Sequence, residues 1–476
     1  MSRKADIAYI ISHGFAARML MQTDLLGKLL QKGFKVAVIT PDKNDQNLLN
    51  YVADKQIDII EYNPQSSLWT GEYIRLRKYL FEDIRKNPAL WEKHLRDMNT
   101  ARQRSSLVTL LKIKSYYGIY LLVRTFPFFK KLFAGFERRS LKDPVADGIL
   151  NELNPQLLIA TFPVNLTESR LLFAGNKAVD THTVIHLLSW DNITCKGHFP
   201  QLADSYISWG DIMKKEFIEY YKIPEQTIVN TGVPHFDLHA RVQEEAGFFY
   251  KQLLSQKGLN PETRYLFFAM SSPYFAPYEI DIVEWLAAEI TQNNFGELQL
   301  IVRPHPQNMG GSMADNSWIE RLKNIQSPKI AVDWPKMVES KLNWSMQKDD
   351  MLNFAHLLKG CTISVNSGST VSIDSLLHNK PVLLTLFDAD KVLPWWQSAR
   401  RVIDYKHCKK LIDLKGVTVV NNFKEFKFEI NRYLDEPLYQ LEKRQNALYQ
   451  EIGINDGRST DRVVSAIETQ LVTPVA

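Results

Sequence analysis

The stretch Thr362–Leu386, TISVNSGSTVSIDSLLHNKPVLLTL, carries the fold in miniature. Thr362–Asn366 is a short apolar run with the length of a buried strand. The next residues are small and hydroxylated around Gly368, and a helical pattern then runs to about His378. Asn379-Lys380-Pro381 stops that helix, and Pro381–Leu386 is a second apolar run. Strand, loop, helix and strand in so few residues make a parallel crossover unit, whose strands are buried on both faces and read as continuous apolar runs.

The same rhythm extends in both directions. Toward the N-terminus of this half lie Tyr265–Met270, Leu298–Arg303 and Lys329–Val332, and beyond it Val417–Val420. The first half repeats the pattern at Ile7–Ser12, Phe34–Thr40, Ile57–Tyr62, Gln156–Thr161, Thr183–Leu188, Ser205–Trp209 and Thr227–Thr231. Apolar runs of this length, separated by helical stretches, predict α/β units with doubly wound parallel sheets. Two such units are expected, joined near 238–262, where the chain is polar and ends in Gly258-Leu-Asn-Pro.

Length and composition agree. The chain has 476 residues, 45% hydrophobic and 23% charged, which suits two or three folded domains. A net charge of +5 over that length gives no reason to expect nucleic-acid binding. Three widely separated cysteines, Cys195, Cys361 and Cys408, fit a reducing compartment better than a disulfide framework. The apolar runs are too short to cross a bilayer, so a cytoplasmic protein is expected, with any membrane contact peripheral, at the inner face of the cytoplasmic membrane.

Three motifs follow predicted strands. Arg303-Pro304-His305-Pro306 comes directly after Leu298–Val302. That places Arg303 and His305 at the carboxyl edge of the sheet, where open α/β sheets bind ligands, on a loop stiffened by two prolines. Either side chain there can bind a phosphate oxygen. In the second motif Ser367, Ser369 and Thr370 flank Gly368 at a helix start, an arrangement that favours anions but also suits plain capping. Asp374, one turn on, could accept from a ribose or sugar hydroxyl. The third is Ser189-Trp-Asp-Asn192, after Thr183–Leu188. Asp191 there is either a general base or an Asx-turn residue. His13, beside Gly14 after the first strand, is a similar candidate. No GxGxxG follows the first strand, and no P-loop, GxSxG, HExxH or Cys/His cluster is present.

Residues 101–142 depart from the alternation. They hold ten basic residues against one acid, Glu137, interleaved with aromatics such as Tyr116, Tyr117, Phe126, Phe128 and Phe129. Cations alternating with rings suit an anionic lipid surface; a helical pair packed on the first domain needs a greasy face as well.

RPHP at 303–306 and NSGSTVSIDSLLHNKPVLL at 366–384 resemble the GT-B glycosyltransferase superfamily. The branch that builds bacterial surface polysaccharides is the most similar. CDP-glycerol glycerophosphotransferases, HP-motif sialyl- and Kdo transferases and UDP-N-acetylglucosamine 2-epimerase share these features. SWDNITCKGHFPQLADSYISWGD at 189–211, TGVPHFD at 231–237 and DGRSTDRV at 456–463 are similar to other parts of such proteins. The resemblance implies two Rossmann-like domains facing a central cleft. Residues 1–240 would form an acceptor domain with a helical insertion at about 65–150, and 241–476 a nucleotide-donor domain. It implies that His305 contacts the donor phosphate, that Ser367, Ser369 and Thr370 bind its oxygens, and that Asp374 lies near the ribose. Asp191 and His13 become candidate bases. No cofactor or metal is then required beyond the nucleotide-sugar donor, and the acceptor is a glycan or lipid-linked molecule. The expected activity is glycosyl transfer. A CDP-polyol phosphotransferase, a UDP-sugar 2-epimerase and a non-catalytic nucleotide- or glycan-binding scaffold are the alternatives.

Overall fold

The computed structural model describes residues 4–65, 68–245, 247–309, 314–338, 341–342 and 346–472. Each predicted apolar run forms a strand. In the first unit these are β1 (Ile7–Ile10), β2 (Val36–Thr40), β3 (Ile57–Glu61), β4 (Leu157–Ala160), β5 (His182–His186), β6 (Ser205–Ser208) and β7 (Ile228–Asn230). They make a seven-stranded sheet in the order β3-β2-β1-β4-β5-β6-β7, parallel throughout. In the second unit β8 (Tyr265–Ala269), β9 (Gln299–Arg303), β10 (Ile330–Val332), β11 (Ile363–Asn366), β12 (Val382–Thr385) and β13 (Thr418–Val420) pair in parallel in the order β10-β9-β8-β11-β12-β13. In each sheet the strand order reverses once, between β1 and β4 and between β8 and β11. This reversal is the switch point, where the flanking loops diverge and leave room for a ligand.

Compactness divides the chain at Thr231/Gly232, and Thr460–Ala476 counts with the first unit. The resemblance implies a division at 240/241 with the C-terminus in the second unit, and the structure differs. The helix Asp237–Glu244 instead belongs to the second unit: its His239 meets Asp374, and Lys359 donates to the carbonyls of Val242 and Glu245. The helix Ser459–Val472 buries Val463, Val464 and Ile467 in the same core as β1 and β2.

The insertion between β3 and β4 is helical: Leu68–Phe81, Pro88–Gln103, Leu107–Thr125, Phe128–Ser140 and Pro144–Leu153. Two of these starts are legible in sequence. Asn87-Pro88 and Asp143-Pro144 each place a capping side chain before a proline that needs no amide partner. Among the described residues, no helix is long and apolar enough to cross a membrane.

Candidate functional site

In the second unit, three loops at the carboxyl ends of β8, β9 and β11 are tied together around one buried carboxyl group. Glu279 starts the helix Glu279–Thr291, and its side chain turns inward. It accepts the Ser271 amide at 2.6 Å, just past β8, and the Ser367 hydroxyl, just past β11. Asn308, beyond β9, donates to the Ser271 carbonyl at 3.0 Å. The His305 loop and the Ser367–Thr370 loop are therefore linked through Ser271 and Glu279 at the switch point.

Burial pushes the Glu279 carboxyl up to about 8, against the lowering effect of its two donors. The unfolded chain gives up this proton near 4.5 and the folded chain only near 8. The folded state therefore holds more protons between these values, and stability falls as pH rises across that window. Glu279→Gln keeps one acceptor for Ser271 and offers a donor to Ser367. The variant should lose less stability than the unaltered chain between about pH 5 and about pH 8 in urea titrations. Equal losses would mean that this carboxyl does not titrate there.

His305 is half-buried on its doubly proline-braced loop. Its Nδ1 accepts the Gln307 amide at 3.1 Å, and its carbonyl accepts the Asn308 amide at 2.8 Å. Burial, and then the neighbouring Arg303 charge, push the ring down to about 4, so it is neutral at physiological pH. Because Nδ1 accepts, the single proton sits on Nε2. The loop thus presents a fixed, neutral N–H donor.

Arg303 is placed differently from the expectation of phosphate binding. Its guanidinium is buried and bridges Asp333 and Asp350, while Lys257 also pairs with Asp333 at 2.5 Å. It anchors the His305 loop from below. Ser367 is likewise turned inward, to Glu279 and to Thr385, and so braces the loop instead of lining its mouth. Asp374 departs from the ribose expectation in the same way. Its Oδ1 lies 3.2 Å from Nε2 of His239, whose Nδ1 meets His378 at 3.0 Å.

Gly368, Ser369 and Thr370 remain half-buried at the mouth. Gly368 has φ +84°, and a Cβ there would lie 2.4 Å from Cγ1 of Val402, so this turn requires glycine. The Gly368 and Ser369 amides both donate to Asn366 Oδ1, and the Val371 amide donates to Ser369 Oγ. The helix start expected to bind an anion is thus largely capped by its own loop. Ser369 keeps a hydroxyl proton to donate, and the Thr370 hydroxyl makes no hydrogen bond among the described residues.

The loops leave other groups unsatisfied. Asn366 Nδ2, Ser272 Oγ and Asn308 Oδ1 are buried and lack partners among the described residues. Asn366 Oδ1 already takes three donors, which fixes the amide so that Nδ2 is the spare donor. Buried polar atoms without partners are uncommon; Asn366 Nδ2 and Ser272 Oγ can donate to a ligand's oxygens, whereas Asn308 Oδ1 can only accept, from a ligand hydroxyl or amide. Ser272, Asn308 and Asn366 were not singled out from sequence. Ser271-Ser272 directly after the run Tyr265–Met270 was the available signal.

The first unit repeats the device with its parts exchanged. Glu168, on the helix Leu166–Gly175 after β4, accepts the Thr161 and Phe162 amides at 2.6 Å and the Ser12 hydroxyl past β1. Burial raises it to about 7. His13 caps the helix Gly14–Thr23 through Nδ1, at 3.1 Å from the Ala16 amide, and lies edge-on to Phe162. Asp191 accepts from Ser189 at 2.7 Å and pairs with Lys196 at 2.9 Å. His13 and Asp191 lie on the loops that follow β1 and β5, with β4 between those strands. Asn165 caps this helix, its Oδ1 accepting the Glu168 amide at 2.8 Å. Among the described residues no cluster of His, Cys, Asp or Glu is placed to hold a metal ion.

This architecture has solved counterparts. A UDP-N-acetylglucosamine 2-epimerase from Neisseria meningitidis, bound to UDP-GlcNAc, superposes with a TM-score of 0.56 at 11% identity, over 97% of this chain and 99% of that one. S. aureus MnaA, solved with UDP, gives a TM-score of 0.53 at 11% identity, over 99% and 97%. The fold is GT-B. Neither a protein-family model nor a curated protein sequence matches the chain. At these identities the likeness is one of fold.

Proposed function

We propose that the protein is a glycosyltransferase that binds a nucleotide-activated sugar at the carboxyl edge of β8, β9 and β11. It passes the sugar to a surface-glycan or lipid-linked acceptor at the inner membrane face. The observation that carries this reading is the convergence of the His305 and Asn366–Thr370 loops on one switch point, with spare donors on both. Transfer breaks the bond between the anomeric carbon and the phosphate oxygen and forms one to an acceptor hydroxyl. The hydroxyl proton goes to a base, for which His13 and Asp191 are the candidates. The nucleoside diphosphate leaves with growing negative charge, which the fixed Nε2–H of His305 and the Asn366 and Ser369 donors are suited to stabilise.

A UDP-sugar 2-epimerase is the second reading, favoured by the end-to-end likeness to the Neisseria epimerase. A thermal-shift panel of UDP-, GDP-, CMP- and CDP-linked donors tests both. One nucleotide series should stabilise the chain, and the matching donor should persist until an acceptor is added. A response to CDP-polyols alone would shift the assignment to phosphotransfer. Donor consumption without acceptor would favour epimerase or hydrolase chemistry. No response to any nucleotide would leave a scaffold.

A further inference from the structure

The insertion packs one face of its basic helices and leaves the other bare. On the helix Leu107–Thr125, Ile113, Tyr120 and Val123 are buried, and Tyr116 and Tyr117 pack beside them. On Phe128–Ser140, Phe129 and Phe133 pack against Tyr73 and Leu80 of the helix Leu68–Phe81. Half of the greasy residues therefore do build a helical core, as the packed-pair reading required.

The other half do not. Leu107 is 73% exposed, Leu111 62%, Phe128 71% and Leu132 59%, with Leu122 and Phe126 also exposed. At 100° per residue, 107, 111, 118, 122 and 125 fall on one stripe, opposite 113, 120 and 123. On the second helix 128, 132 and 135 centre about 130° from 129, 133 and 137, while Phe136 lies between the two groups and packs on Tyr73, with ring centroids 5.1 Å apart. Both helices pack against the helix Leu68–Phe81, and Leu107, Leu111, Leu122, Phe128 and Leu132 stay exposed outside these contacts. Phe126 and Phe128 stand at the turn joining them.

Charge decides what this surface meets. Arg104, Lys114, Lys131, Arg138 and Arg139 are exposed on this segment, with Lys130 exposed on the side toward His198. The one acid of the segment, Glu137, is buried and bonded to Arg77. A second copy would bring the same cations face to face. An acidic layer over an apolar interior complements both features, with cations at the headgroups and rings below.

We propose that the outer faces of Leu107–Thr125 and Phe128–Ser140 form a docking surface for an anionic lipid bilayer, with the Phe126–Phe128 turn entering deepest. This deepens the transferase reading and rests on it only for the lipid-side acceptor. The surface itself stands on exposure and charge.

The test is co-sedimentation of the full chain with vesicles of phosphatidylcholine alone and of phosphatidylcholine mixed with phosphatidylglycerol. The expected result is binding to the mixed vesicles, weak binding to the neutral ones and release at high salt. Lys131→Gln with Arg139→Gln should lower partitioning by about thirtyfold, about fivefold per cation lost. Phe128→Ser with Leu132→Ser should weaken it at equal charge, and both positions are exposed enough to leave the fold intact. Absence of vesicle binding, or equal binding by both variants, would overturn the proposal. A dimer lost in the Phe128→Ser, Leu132→Ser variant, without vesicle binding, would do so in favour of a second copy. The nucleotide thermal shift, read on the same samples, should not change. Its absence alongside intact vesicle binding would count against the donor reading alone.

Discussion

Replacing His305 with alanine should lower turnover of the nucleotide-activated donor by about 10²–10³-fold, the scale lost with one preorganised charge-stabilising donor. The fall should appear mainly in kcat, because the Nε2–H matters most as charge gathers on the departing phosphate. Stability should change little, since the ring is half-buried and its one internal bond is to the Gln307 amide. The neutral state adds a second expectation. A histidine pushed from 6.5 down to about 4 keeps the same proton across the physiological range. The pH profile of the unaltered protein's turnover should then show no step attributable to His305 near 6.5, and His305→Ala should leave its shape unchanged. Unchanged turnover would remove this residue from the mechanism, and a lost step near 6.5 would mean that the ring is not held neutral.

Arg303→Ala should produce the largest loss of stability. The guanidinium separates two buried carboxylates, Asp333 and Asp350, and bonds to both. Removing one partner of a buried pair costs about 3–5 kcal/mol, because the charges left behind are neither solvated nor neutralised. Lys257 stays beside Asp333, so Asp350 should suffer most. Arg303→Lys should rescue only part of the loss, since an ammonium cannot span two carboxylates as a planar fork does. Adding Asp350→Asn to Arg303→Ala should recover stability, which chemical denaturation of the four proteins would show as a coupling energy. Additive losses would mean that the bridge is not what holds the His305 loop.

The strands were legible because each is a short apolar run buried on both faces, a local property of sequence. The positions of the motifs were legible too: His305 and Ser369 follow β9 and β11. What each side chain does there was less so, since its partner is distant in sequence. Ser367 finds Glu279 across 88 residues and Arg303 finds Asp350 across 47. Asp374 meets His239, which lies on a helix that reads as a linker. Glu168 and Glu279 look like ordinary acids in the first turn of a helix, and nothing local marks them as facing inward. Residues 101–142 pack one face, as the helical-pair reading required, and leave the other exposed; periodicity alone could not say which face was covered.

The most direct measurement is a crystal structure with the nucleotide that gives the largest thermal shift. It should place phosphate oxygens within hydrogen-bonding distance of His305 Nε2 and Asn366 Nδ2, beside the ends of β8, β9 and β11. Nucleotide held elsewhere, with both nitrogens still lacking a partner, would contradict the account.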